Sequence, residues 1–172
     1  MPKLIKLRGD AFAWEDDRFT LVGDEDPIPS GDVVMSLKRF MAEGEALLAG
    51  RAVGVRLSPD DAVEDLAYDL PRLAVVELAF AKFRDGRPYS AARLLRERYG
   101  YGGEIRAVGE VLREQAQFML RCGFDAFEPA DGSTPADWLK ATRRYRHVYQ
   151  RGADERAPIY VERTAAGVDH GV

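Results

Sequence analysis

Leu73-Ala74-Val75-Val76-Glu77-Leu78-Ala79-Phe80 is the stretch that decides the fold. A near-continuous apolar run with two adjacent valines is what a parallel strand needs when both of its faces are covered. The runs on either side of it repeat the theme at intervals that leave room for helices. Ala52 to Leu57 precedes it, and Glu104 to Val108 and Phe124 to Phe127 follow it. Val33 to Leu37 adds a fifth candidate strand near the start.

Helical signals fill the gaps between these strands. In Lys38 to Leu48, Phe40, Met41, Leu47 and Leu48 can share one face, and Gly50 stops the helix. Ser58-Pro59-Asp60-Asp61 offers an N-cap oxygen, a first-turn proline and first-turn acids, and predicts a helix through Val63, Leu66, Ala67 and Leu70 that ends at Pro71. Ser90 to Tyr99 reads as a helix capped by Ser90 and stopped by Gly100. Glu110 to Cys122 reads as another, closed by Gly123. Thr134-Pro135-Ala136-Asp137 forms a capping box that opens a helix running past Tyr145 and Tyr149. Strands alternating with helices imply right-handed βαβ units and a mainly parallel sheet.

The expected class is therefore α/β, with about five strands and flanking helices, as an open sheet or a barrel fragment. Residues 1–150 read as one domain, and the turn-rich residues 1–32 read as an N-terminal arm. Residues 151–172 read as an extension, partly mobile, with a short strand-like piece at Ile159 to Val161.

Composition narrows the function classes. The chain has 172 residues, one cysteine and two histidines. Disulfide scaffolds, the usual zinc modules and iron–sulfur ligation therefore lack their ligands. No apolar run approaches the roughly 20 residues of a membrane span, and no apolar segment follows the first basic residues. A soluble, cytoplasmic protein without membrane contact is expected, holding no metal and no cofactor. The net charge of −4 argues against nucleic acid as a partner.

That charge is unevenly placed. Residues 1–80 hold 16 acids and 9 bases, whereas residues 81–124 hold 9 bases and 5 acids. Guanidinium forks match sulfate, phosphate and carboxylate geometry, so the basic middle third is a candidate region for a small anion.

Several residues there break the local pattern. Glu77 and Arg106 each put a charge inside an apolar strand, where an unpaired charge is costly, so they are expected to form a buried ion pair. Gln115 falls inside the apolar stripe of its helix and needs partners for both ends of its amide, so it is a candidate to hold a neighbouring loop or the bound anion. The densest polar run, Phe83 to Ser90, lies just beyond the strongest strand, where open α/β sheets bind ligands. Arg87 is expected to grip an anion there, with Tyr89 and Ser90 as donors and Asp85 orienting Arg87 or acting as a base. Arg106 is expected to join them from a neighbouring strand. Cys122 lies near a helix C-terminus, which raises a thiol's pKa and leaves it inert.

The runs Phe80 to Arg96, Gly103 to Gly109 and Arg121 to Phe127, with their DGR-x-YS and RA-x-G motifs, resemble the bacterial domain of unknown function family 934. One departure is Glu114, where the family pattern has Asp before the glutamine. Members of that family are associated with sulfite reduction. The resemblance implies an accessory protein of assimilatory sulfate and sulfite reduction, a partner of sulfite reductase or of another sulfur-assimilation enzyme, and assigns no catalytic residue. Two other readings stand beside it. One is a small enzyme acting on an anionic metabolite at Asp85, Arg87, Tyr89, Ser90 and Arg106; the other is a structural or regulatory interaction module. Whether the chain is catalytic is left open by the sequence, as is its oligomeric state.

Overall fold

A computed structural model of the chain describes residues 3–154 and 156–167. It contains a single eight-stranded sheet rather than one of about five strands, curled into an open half-barrel. The strands are β1 (Lys3–Arg8), β2 (Ala11–Asp16), β3 (Thr20–Val22), β4 (Val33–Ser36), β5 (Val53–Leu57), β6 (Val75–Phe80), β7 (Glu104–Gly109) and β8 (Ala126–Phe127). Their spatial order is β2-β1-β8-β7-β6-β5-β4-β3. From β3 to β8 all neighbours are parallel, while β1 runs antiparallel to both β2 and β8.

The three extra strands come from the segment expected to be an arm. Residues 3–22 build both edges of the sheet, and only Asp17, Arg18 and Phe19 join β2 at one edge to β3 at the other. Laid flat, eight strands would separate those edges by about 34 Å. The link spans at most about 14 Å. The sheet must therefore curl, and the link runs across its concave side.

Helices cover the convex side. They are α1 (37–47, with a π-helical turn at Phe40–Gly44), α2 (87–98), α3 (Ala116–Cys122, after a 3-10 turn at Arg113–Gln115) and α4 (Pro135–Thr142); a further helix, α5 (Ile159–Gly167), follows in the C-terminal extension. Phe40, Leu95, Met119 and Trp138 pack against Val55, Leu78, Ile105 and Phe127 in one continuous core. Trp138 is fully buried and donates its indole N–H to Ser133 at 2.8 Å. The residues that alternate with this core face the concave side, where Phe19, Val34 and Val75 form a small apolar cluster.

Four local expectations are corrected. The Ser58-Pro59 signal opens no α-helix: Asp61 accepts from the Ser58 amide in a turn, and only 3-10 turns follow at Val63–Leu66 and Leu70–Arg72. The next helix starts at Arg87 with Gly86 as N-cap, because Pro88 fits its first turn, and Ser90 lies inside it. α4 ends at Thr142, short of Tyr145. Ile159 to Val161 begins a helix rather than a strand, its first amide bonding the Val148 carbonyl at 2.7 Å. Within the extension, Ala153 donates to the Arg121 carbonyl at 2.9 Å and Asp154 pairs with Arg121 at 3.1 Å. The expectation of a mobile end falls partly on residues 168–172, which lie outside the described residues. Among the described residues no helix is long and apolar enough to cross a membrane.

Candidate functional site

Strand register places one rung of the concave face in order. Ser36 on β4 opposes Arg56 on β5, Arg56 opposes Glu77 on β6, and Glu77 opposes Arg106 on β7. Arg106 opposes Ala126 on β8, which opposes Lys6 on β1. Direct cross-strand neighbours lie close enough for side chains to meet, and here Arg56, Glu77 and Arg106 alternate in charge.

Glu77 is nearly buried and bridges two arginines. Its Oε1 accepts from Arg106 Nη1 at 2.7 Å and its Oε2 from Arg56 Nε at 2.6 Å. The expected Glu77–Arg106 contact is therefore present, as part of a larger network. Arg106 also donates to Asp17 at 2.8 Å and to Glu104 at 2.9 Å, and Glu104 accepts from Lys6 at 2.7 Å. Burial opposes the charge on Arg106, yet Glu77, Glu104 and Asp17 outweigh it and raise its pKa above the ordinary arginine value. Phe19, from the same crossing link as Asp17, lays its ring 5.7 Å from the Arg106 guanidinium and shields it from water.

Arg56 differs from Arg106 in one respect. Its side chain is 31% exposed, and Glu77 engages only its Nε. Beyond it, at the C-terminal ends of β3 to β6, opens a cavity of about 620 Å³ lined by Arg56, Lys38, Ser36, Ser58 and the acids Asp24, Asp26 and Asp61. Each acid already holds a donor of its own: Asp24 the Ser36 hydroxyl at 2.6 Å, Asp26 the Gly23 amide at 3.2 Å, Asp61 the Ser58 amide at 2.7 Å. The Arg56 Nη groups and Lys38 have no acceptor among the described residues. Two cationic donors thus face the mouth of a parallel sheet, the end at which α/β barrels and open sheets place their ligands.

The motif loop is arranged differently from the cluster expected there. Arg87 is bound by Asp85 at 2.6 Å and by Asp60 at 2.5 Å, so its fork is occupied by the protein's own carboxylates. That pairing, through hydrogen bonds above all, holds Asp85 below the usual carboxylate range. Tyr89 is half-buried between Phe80 and Phe118, and burial pushes its hydroxyl up to about 12. Ser90 is exposed on α2. Arg106 shares no partner with Arg87 and belongs to the concave network instead. Gln115 accepts from the Leu112 amide at 3.0 Å and donates to the Phe83 carbonyl at 3.2 Å, which fastens the motif loop to the start of α3. Cys122 is buried, and that burial pushes its thiol up to about 11.

Sequence reasoning did not single out Arg56, Lys38, Ser36 or Asp17. Arg56 carried a usable signal, a charge inside the run Val53 to Leu57. Asp17 carried none, since its partner Arg106 lies 89 residues away. Among the described residues no three His, Cys, Asp or Glu side chains converge as a metal site.

Fold and site together define a mainly parallel α/β half-barrel with a charged interior and a mouth lined by two cations and three carboxylates. The model of a family of bacterial proteins of unknown function (DUF934) matches residues 54–160, and the chain belongs to that family. The match takes in Arg56, Glu77 and Arg106, while Lys6, Asp17 and Lys38 come from the segment before it. No curated protein matches the chain.

Proposed function

We propose that this protein is an accessory component of assimilatory sulfate and sulfite reduction, binding a small oxyanion at the mouth of its half-barrel and holding no redox centre of its own. The observation that carries the anion reading is Arg56: its guanidinium is fixed from behind by Glu77, its remaining donors face the cavity, and Lys38 stands beside it. A planar fork held in place loses little entropy on meeting an oxyanion. The link to sulfur rests on the DGR-x-YS and RA-x-G resemblance. A partner that handles electrons fits a chain whose single thiol is buried and resists ionisation. Chemistry centred on Arg87 has less support, because Asp85 and Asp60 already neutralise it.

Two measurements test the two halves. Calorimetric titration with sulfite, sulfate and phosphate should give binding that Arg56→Gln weakens by about tenfold or more; equal binding by the variant sinks the mouth as the site. A deletion strain should grow poorly on sulfate as sole sulfur source and normally on cysteine. Normal growth on sulfate sinks the sulfur reading.

A further inference from the structure

Among the described residues, twelve of the 20 arginines lie within salt-bridge distance of a carboxylate. Four of the other eight lie together in one segment. Arg143-Arg144-Tyr145-Arg146-His147-Val148-Tyr149-Gln150-Arg151 carries four arginines and no acid, and none of the four has a carboxylate partner among the described residues. All of it is exposed except Val148.

The segment is neither helix nor sheet, yet it is fastened. Gln117 on α3 donates to the Tyr145 carbonyl at 3.3 Å, Arg121 donates to the Gln150 carbonyl, and Val148 is bridged to Pro158. The strap so formed bounds a groove of about 420 Å³ against α3, with Phe118, Val148 and Tyr149 among its walls. Phe118 is 57% exposed, Tyr145 61% and Tyr149 82%. Nearby acids hold partners other than these four arginines: Asp154 pairs with Arg121 at 3.1 Å and Glu162 with the strap's own His147 at 2.7 Å. Glu114, which also lines the groove, is 3.7 Å from Arg113.

We propose that this strap and groove dock an acidic segment of a partner protein, its carboxylates taken by Arg144, Arg146 and Arg151 and an apolar side chain set against Phe118 and Tyr149. Exposed tyrosines and a phenylalanine lining a groove, with arginines on the strap beside it, are the composition of interface anchors. Carboxylates are the matching groups for unneutralised guanidinium forks. The net charge of −4 favours a short acidic peptide over a nucleic acid or an anionic membrane. A long polyanion meets the repulsion of the whole molecule, whereas a short segment is governed by charges within a Debye length of about 8–10 Å. This proposal rests on the accessory-partner reading and supplies it with a surface.

Short random peptides displayed on phage and selected on the immobilised full chain provide the test, with the exposed triple variant Arg144→Glu/Arg146→Glu/Arg151→Glu selected in parallel. Peptides enriched on the wild type should be acidic and contain an aromatic or leucine residue. Their affinity should fall about tenfold or more in the triple variant and, with no change of charge, in Tyr149→Ser. Enrichment without acidic bias, or equal binding by both variants, overturns the proposal. So does tighter binding of oligouridine or of phosphatidylglycerol vesicles, or self-association that the triple variant abolishes. Sulfate-dependent growth and Arg56-dependent anion binding are read separately, so failure here removes the surface and leaves that reading standing.

Discussion

Arg106 is the residue on which the concave face turns. Its side chain is 1% exposed and touches three carboxylates, one from each of three separate stretches of chain. A buried ion pair is weak evidence of net stability, since desolvation offsets much of the attraction, but removing one member strands the others. Arg106→Met is therefore expected to cost about 3–5 kcal/mol in urea unfolding. Adding Asp17→Asn should recover part of that loss, because Arg106 is the cation paired with Asp17 whereas Glu77 keeps Arg56. If the single variant unfolds like the wild type, the network is not a structural element. Arg56 is different in kind: partly exposed and bonded only through Nε, it can be exchanged with little structural effect, so its loss reports on ligand rather than on fold.

Among the elements, the junction after β7 is the most constrained. Gly109 holds φ +93°, and a Cβ there would sit 2.5 Å from the Phe80 carbonyl oxygen. Gly109→Ala combines backbone strain with a clash against main chain and should cost about 1–3 kcal/mol. Gly9→Ala, at φ +58° with open space around it, should cost less. Equal melting shifts for the two would refute the clash. At α4 the Thr134–Asp137 capping box holds Asp137 below the ordinary carboxylate value, through hydrogen bonds to Thr134 first of all. Its contribution is therefore present above that value and lost as pH falls through the lowered one. Near-ultraviolet dichroism, which reports the buried Trp138 carried by the same helix, should lose intensity as acid is added, and Asp137→Asn should flatten that dependence.

These elements also mark what could be read from sequence. β4 to β8 announced themselves through apolar runs and stop signals at Gly50, Gly100 and Gly123. β1 did not, because Lys6 and Arg8 point into a charged concave face and interrupt any apolar period. The Ser58-Pro59 cap was present but opened only 3-10 turns, showing that a start signal does not by itself make a helix. Glu77 and Arg106 were visible as charges where none belonged. Lys38 and Asp17 were not, because their importance arises only when the sheet curls.

At the scale of the whole molecule, residues 3–22 close the structure. β1 covers the otherwise open side of β8, buries Leu4 and Ile5, and brings Lys6 to Glu104. Removing residues 1–16 exposes that side of β8 and leaves Asp17 without the strand that positions it. The truncated chain is expected to lose its cooperative urea transition and to bind ANS, as compact states without fixed packing do. A sharp transition without dye binding would show that the rest of the sheet stands alone.

The pairing of β1 with β8 also sets a timetable. Lys6 meets Ala126 across the sheet, so a hairpin made first at the ribosome waits for more than a hundred further residues before its neighbour exists. Contacts that far apart in sequence raise contact order and slow the final step of folding. Until β8 arrives, both β1 and the parallel strands present unpaired edges, the state most open to aggregation. Heterologous expression should therefore yield more intact protein when synthesis is slow and cool than when it is fast.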